Sequence, residues 1–355
     1  LQAMDSFVTS PGNASSPHAW GRRARVALDE VRSQIKALVG SKHSDVIFTS
    51  GGTESDYLAL HALADIAKLS GRKRIVIAPM EHPAVHGAAK QLEAQGFELK
   101  YGAVLPSGEV DVDSIRAFCD DQLAVVSVML ANNETGVIQP VREIATIAKN
   151  CGAMVHCDGV QAVGKIALNF DELFVDSFAL SAHKFGGPKG IGALVLAKGT
   201  TLRPLWSGGR QEEGFRPGSE GTALVLGMGA AAEVALKHLN SDTEKTAIRD
   251  YFEASLSQFA AISVVGEKAD RLPTTSTVCF HGLLSHRIIK ELDDLGVCVS
   301  GGAACHSGEP APSATMLSLG MSAADAKATV RFSFGPQSSL KDADAALERL
   351  RSIFG

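Results

Sequence analysis

Residues 177–196 read Ser177-Phe178-Ala179-Leu180-Ser181-Ala182-His183-Lys184-Phe185-Gly186-Gly187-Pro188-Lys189-Gly190-Ile191-Gly192-Ala193-Leu194-Val195-Leu196. The short apolar runs at 177–180 and 192–196 have the length and composition of buried strands. Between them Lys184 stands beside His183 and near Ser181, and a glycine-rich turn follows. Read alone, this lysine also suits a solvated loop. Its place between two apolar strands argues otherwise, because a charged amine there must face a cleft or give up its hydration. A desolvated lysine near other cations forms Schiff bases with carbonyl groups.

Outward from this segment, strand and helix patterns alternate. Toward the N-terminus, helices are expected at 19–39, 54–69, 83–95 and 140–150, and strands at 46–49, 74–78, 125–130 and 153–157. Pro140 opening a helix that Gly152 follows shows the usual Pro-first, Gly-last asymmetry. Strands separated by helices predict an α/β fold, with a mostly parallel central sheet covered by helices on both faces. Residues 200–221 read as a long functional loop, and 222–239 as an Ala-rich helix. The charged stretch 241–250 marks the expected boundary between a large domain, 1–240, and a small C-terminal α/β domain, 241–355. In the latter, strands are expected at 276–280, 297–299 and 329–334, and a helix at 283–295.

The chain has 355 residues, of which 45% are hydrophobic and 21% charged, enough for a substantial core. A formal net charge of −5 with scattered basic residues excludes bulk attraction to nucleic acid or anionic membrane. No apolar run is long enough to span a bilayer and no signal-peptide pattern is present, so a cytoplasmic protein is expected. The first residue is Leu1, so the natural N-terminus is expected to lie upstream. The six cysteines, at 119, 151, 157, 279, 298 and 305, include no C-x-x-C. Cys151, His156, Cys157 and Asp158 are close in sequence. However, 156–158 are consecutive at a strand end, where neighbouring side chains point to opposite faces, so no metal site is expected.

In open parallel sheets a ligand sits beyond the carboxyl ends of the strands. After the strand at 46–49 come Ser50-Gly51-Gly52-Thr53-Glu54 and a helix, which resembles a phosphate cradle without the Gly-Lys-Ser/Thr ending of a nucleotide P-loop. After the strand at 153–157 comes Asp158, suited to a cationic ring nitrogen or, equally, to a helix N-cap. With Lys184 as the partner of an aldehyde, these features together point to pyridoxal 5'-phosphate (PLP), an electron sink that a carboxylate at its ring nitrogen strengthens.

The chain resembles the cysteine desulfurases of the class V aminotransferase family and their relative, selenocysteine lyase. The likeness spans nearly the whole chain. It includes Asn13-Ala14-Ser15-Ser16-Pro17-His18, Phe48 to Ser55, Glu81-His82, Asn132-Asn133-Glu134-Thr135-Gly136, Asp158 with Gln161, Ser181 to Lys184, Arg216-Pro217-Gly218-Ser219, Ala304-Cys305 and Val330-Arg331-Phe332-Ser333. The resemblance implies the PLP-dependent transferase type I fold. It makes Lys184 the lysine that carries the cofactor and moves the Cα proton, and His82 the ring that stacks on PLP and assists proton transfer. It pairs Asp158 with the pyridine nitrogen and Gln161 with the phenolic oxygen, and gives the phosphate to Gly52, Thr53, Ser181 and His183. Ser219 would reach the phosphate of a neighbouring subunit, implying a homodimer. Asn133 would contact cofactor or substrate, and Arg331 the substrate carboxylate.

Cys305 lies in Ser300-Gly301-Gly302-Ala303-Ala304-Cys305-His306-Ser307-Gly308, where small and polar neighbours offer little apolar packing and His306 favours the thiolate. Its place matches the family's nucleophilic cysteine. The implied reaction converts L-cysteine to L-alanine and leaves a persulfide on Cys305 for a sulfur-acceptor or scaffold protein. The alternatives are selenocysteine lyase, releasing selenium from selenocysteine, and another PLP-dependent C–S lyase or aminotransferase, which would not need Cys305. The chain starts after the family's N-terminal Asn-Ala-Ala-Thr-Thr-like strand, carries Gly159-Val160 where the family has a small pair, and has Pro217 and Ser219 in place of a common Ser and Thr; the Pro in that loop and the segment Gly302 to Ser307 resemble selenocysteine lyase.

Overall fold

Leu123–Ser127, Met154–Asp158 and Ser177–Ser181 are five-residue runs buried along almost their whole length, as strands covered on both faces must be. The computed structural model in which they are seen describes residues 2–9, 12–239, 242–259, 261–302 and 311–354. Numbered in chain order, the strands are β1 (Asp45–Thr49), β2 (Arg74–Ile77), β3 (Glu98–Tyr101), β4 (Leu123–Ser127), β5 (Met154–Asp158), β6 (Ser177–Ser181), β7 (Gly192–Leu196), β8 (Ile262–Val264), β9 (Thr275–Phe280), β10 (Ser300–Gly301) and β11 (Thr329–Ser333). A seven-stranded sheet has the order β1-β7-β6-β5-β4-β2-β3. Strands β3, β2, β4, β5 and β6 are mutually parallel; β7 runs against β6, and β1 pairs antiparallel with β7 at the edge, so it runs in the direction of the parallel strands. The expected α/β class and mostly parallel sheet are therefore present. A separate four-stranded sheet, β10-β11-β9-β8, is antiparallel.

The chain divides into two units. The first comprises Leu1–Gly102, Val112–Leu130 and Pro140–Leu239; the second comprises Ala103–Asp111, Ala131–Gln139 and Asn240–Gly355. A single cut in the sequence cannot express the two excursions at 103–111 and 131–139. In the first unit the helix Gly52–Leu69 packs across β4 to β7, burying Leu58, Leu60 and Leu63 against Ile47, Ile75, Ile77 and Leu194. This fixes the start of the helix at the carboxyl end of β1.

In the second unit the charged stretch that reads as a boundary folds into the helix Asp242–Leu256. Ile248, Phe252 and Leu256 recur at the spacing of one helix face, and all three are buried among Phe280, Phe332 and Leu347. The expected strand at 297–299 is absent. Val297 and Val299 pack against this core as partly buried side chains, and the ladder hydrogen bonds to β11 are made instead by Ser300 and Gly301. Among the described residues no helix is long and apolar enough to cross a membrane.

Phe252 is fully buried, with its ring 4.8 Å from that of Phe332 and 5.5 Å from that of Phe334. Phe252→Ala is expected to destabilise the second unit by about 3–5 kcal/mol, because transfer and cavity terms add. Urea denaturation followed by far-UV circular dichroism checks this.

Candidate active site

The two-residue period of β5 places His156 and Asp158 on one face and Cys157 on the other. His156 has no exposed surface, and its ring is held at both ends. Nδ1 lies 2.8 Å from the hydroxyl of Ser177 on β6, and Nε2 lies 3.1 Å from Oδ1 of Asp56 on the helix Gly52–Leu69. Burial pushes His156 down to about 4 and holds the Asp56 carboxyl well above the usual carboxylate range. The pair is therefore a neutral hydrogen bond, not an ion pair.

Asp158 closes the strand above this pair. Its Oδ1 accepts the Val160 N–H at 2.8 Å. Burial, and then the neighbouring Asp56, push its pKa up to about 8, although the Val160 N–H, His156 and Lys184 pull the other way. Glu81, following β2, is also held high by burial and by Asp158 and Asp56, which outweigh the opposing Met129 N–H and Ser127 hydroxyl. A cation placed against Asp158 would relieve this concentration of acid groups.

The parallel register sets Asp158 beside Ala179, so β6 runs on past it to Ser181 and the turn Ala182–Lys184. The Ser181 hydroxyl lies 3.0 Å from Nδ1 of His183. Lys184 is close enough to lower the pKa values of Asp158, His82 and His183, in each case after the larger effect of burial. His82 caps the helix Pro83–Ala94, with Nδ1 accepting the Ala84 N–H at 3.2 Å. Burial, Lys184 and His86 keep this ring neutral at neutral pH, so its proton sits on Nε2.

No side chain caps the start of the helix Gly52–Leu69, which leaves its first-turn N–H groups for an anion. A Cβ on Gly52 would lie 2.7 Å from Cγ2 of Val160, so glycine lets the cradle approach the Asp158 turn. One on Gly159 would fall inside the Phe178 ring, at 1.8 Å from Cζ, which gives the departure at this position a steric reason. Thr53 is exposed at the cradle. Gln161 accepts from the Lys165 ammonium at 2.7 Å through Oε1, leaving its amide N–H groups to donate. Ser219 is exposed. The segment before it is tied to the cradle because Arg216 grips Glu54 at 2.8 and 3.3 Å while Glu54 accepts the Ser50 N–H at 2.7 Å.

Asn133 and Arg331 belong to the second unit. Arg331 on β11 donates through one terminal nitrogen to the Asn133 carbonyl, while its buried Nε has no partner among the described residues. Both residues line a cavity of about 390 Å³ with Glu134, Ser285 and Ser300. Asn132 instead ties its own turn, accepting the Glu134 and Thr135 N–H groups at 2.9 Å each. Cys305 and its neighbours from 303 to 310 lie outside the described residues.

Sequence reasoning passed over Asp56 and Ser177, and met His156 only as a possible zinc ligand. The usable signal was the period of two that sets His156 on the face of Asp158. What it could not supply was Asp56, a hundred positions away in the chain.

Residues 1–346 match the aminotransferase class-V family, and the chain belongs to it. Among similar proteins, a cysteine desulfurase of Bradyrhizobium diazoefficiens is 39% identical over 98% of this chain and 88% of its own length. The cysteine desulfurase IscS of Dictyoglomus turgidum is 38% identical over 99% of this chain and 90% of its own. The X-ray structure of a NifS-like protein from Rickettsia africae superposes with a TM-score of 0.89 at 26% identity, covering 99% of this chain and 94% of that one. The family is PLP-dependent, and its type I fold is the one described above.

In the cofactor-free protein the buried groups act on stability with opposite signs. His156 resists protonation in the fold down to about 4 against 6.5 when unfolded, so acidification through that window destabilises. Asp158 keeps its proton up to about 8 against 3.8 unfolded, so stability falls as pH rises toward 8, with Asp56 and Glu81 acting in the same direction. Melting temperatures of the cofactor-free protein should therefore decline from about pH 6.5 to pH 8. Asp158→Asn should make that decline shallower, and an unchanged slope would show that Asp158 ionises normally.

Proposed function

We propose that this protein is a PLP-dependent cysteine desulfurase, converting L-cysteine to L-alanine and passing sulfur from a persulfide on Cys305 to an acceptor protein. The observation that carries the reading is the buried, acid-crowded Asp158 standing within the electrostatic reach of Lys184, itself beside His82. Such a carboxyl calls for a cationic ring nitrogen. The uncapped helix start with Gly52 and Thr53, together with Ser181 and His183, fits a phosphate, and the Gln161 amide fits a phenolic oxygen. The donor set thus suits PLP, and the near full-length similarity to cysteine desulfurases supports the substrate.

Bound there, PLP supplies an electron sink for the charge left at the substrate's Cα. The Arg331 guanidinium, with Nε lacking a partner, takes the substrate carboxylate, with Asn133 beside it. The Lys184 amine removes the Cα proton. His82, neutral and carrying its proton on Nε2, covers the ring and returns a proton to the product carbon. The Cys305 thiolate attacks the substrate sulfur. As the S–S bond forms the Cβ–S bond breaks, its electron pair stays with the carbon skeleton, and protonation of that carbon gives alanine. Ser219, exposed on its loop, is the residue offered to the phosphate of a second subunit in a homodimer.

Alanine and sulfide or selenide release, measured with cysteine and with selenocysteine under reductant, tests the reading. Cys305→Ala should lose about 100-fold or more of its activity on cysteine and keep its yellow colour. An unimpaired mutant would remove Cys305 from the reaction. Turnover of selenocysteine alone would make the protein a selenocysteine lyase, and a keto-acid product would make it an aminotransferase.

Arg331→Ala should raise KM for cysteine by roughly tenfold or more without bleaching the cofactor, as expected for loss of a carboxylate contact. Steady-state kinetics with absorbance spectra check this.

A further inference from the structure

In the second unit the period of β9 brings Cys279 and the following His281 to one face of the sheet. The short helix Ala323–Ala326 brings Asp325 to the same place. The Cys279 Sγ is 3.6 Å from His281 Nδ1 and 3.9 Å from Asp325 Oδ1, and Nδ1 is 2.8 Å from Oδ1. These three atoms of different elements lie within 4.8 Å of one another. Nδ1 faces both of the others, so the group cannot work as a relay in which each ring nitrogen serves one partner.

Thiolate, imidazole and carboxylate ligands on one zinc ion, at about 2.3, 2.0 and 2.1 Å in tetrahedral array, stand roughly 3.3–3.6 Å apart. The Cys279–His281 spacing already meets that geometry; the Cys279–Asp325 distance of 3.9 Å is slightly long, and the His281–Asp325 hydrogen bond of 2.8 Å would have to open by about half an ångström to admit the ion. The next layer is also in place. The Ser263 hydroxyl lies 2.9 Å from Nε2 of His281 and holds the ring with Nδ1 toward the cluster, where Nδ1 donates to Asp325 Oδ1 at 2.8 Å; an ion would take the place of that Nδ1 proton, with Nε2–H then donating to Ser263. The Ser322 hydroxyl donates to the other Asp325 oxygen at 2.8 Å. The His281 and Asp325 side chains are 43% and 34% exposed, so an ion has a route in from solvent.

We propose that Cys279, His281 and Asp325 form a binding site for a zinc-class divalent transition-metal ion, with the fourth position open to water. A soft sulfur beside an imidazole selects such an ion over magnesium or calcium. Without the ion, burial and then Asp325 push the Cys279 thiol up to about 12, so it is protonated and a poor nucleophile. Binding displaces that proton, one per ion, and affinity falls as pH falls. The bound ion would pin the turn at 322–325 to β9 and stabilise the second unit.

The experiment uses tag-free holoprotein carrying Cys305→Ala, which removes the reactive thiol as a competing ligand. After equilibration with chelator-buffered Zn²⁺ at micromolar total concentration, metal content is read by mass spectrometry and stability by thermal melting. One zinc per chain is expected, with a melting temperature raised by roughly 4 °C or more at about 100 times Kd. His281→Ala and Asp325→Asn, both at partly exposed positions, should each weaken binding by about tenfold or more. Cys279→Ser should abolish binding, and because this position is buried the other two variants keep the test decisive if it misfolds. Failure to retain zinc, or retention at undiminished affinity by His281→Ala and Asp325→Asn, would overturn the proposal.

Discussion

A carboxyl group taken out of water must find a cation or keep its proton, and Asp56, Glu81 and Asp158 are all buried, with Asp56 raising the pKa of Asp158 and both of these raising that of Glu81. Much of the first unit can be read as the accommodation of that constraint. Asp56 shares a neutral hydrogen bond with His156, which in turn reaches Ser177 on the next strand. Asp158 takes a backbone N–H from its own turn and feels Lys184 across the strand ends. Because β4, β5 and β6 are parallel and in register, the residues after each strand converge on one edge of the sheet, so Lys184 meets Asp158 there.

The cradle and the loop are governed by steric limits and by one ion pair. Gly52 admits Val160, and Gly159 admits the Phe178 ring, so each glycine lets two segments distant in sequence approach. Glu54 then joins the cradle to the loop through Arg216. Its carboxylate stays below the usual range because Arg216 and the Ser50 N–H outweigh the opposing effect of burial. The long segment at 200–221 is therefore a positioned loop, held at the cradle by a defined partner.

The second unit solves a different problem. Its antiparallel sheet buries one face against the helices Asp242–Leu256 and Leu340–Phe354, and keeps Arg331 half-buried on β11 with one guanidinium nitrogen committed to the Asn133 carbonyl. A guanidinium held in this way presents its remaining donors without much further loss of side-chain freedom, which favours a planar carboxylate. On the same sheet the buried Cys279 and the partly exposed His281 gather with Asp325.

Local rules made much of this legible in the linear chain. Apolar runs bounded by glycine and proline placed β1, β5, β6 and β7 to within a residue or two of their observed ends, and Lys184 and Asp158 stood out because each follows such a run. The helix Asp242–Leu256 was hidden because its charges dominate composition while its buried stripe of Ile248, Phe252 and Leu256 occupies few positions. The 297–299 strand failed because apolar residues can be buried by packing alone, whereas a strand requires a partner with free ladder groups. The amino-acid sequence by itself determined the alternation of elements, the fold class and the residue types at each strand end, since sterics and hydrophobic period act over a few positions. Only the tertiary structure decided that His156 meets Asp56, that burial beside Asp56 raises the pKa of Asp158, and that Cys279, His281 and Asp325 converge, because burial and proximity are set by segments far apart in the chain.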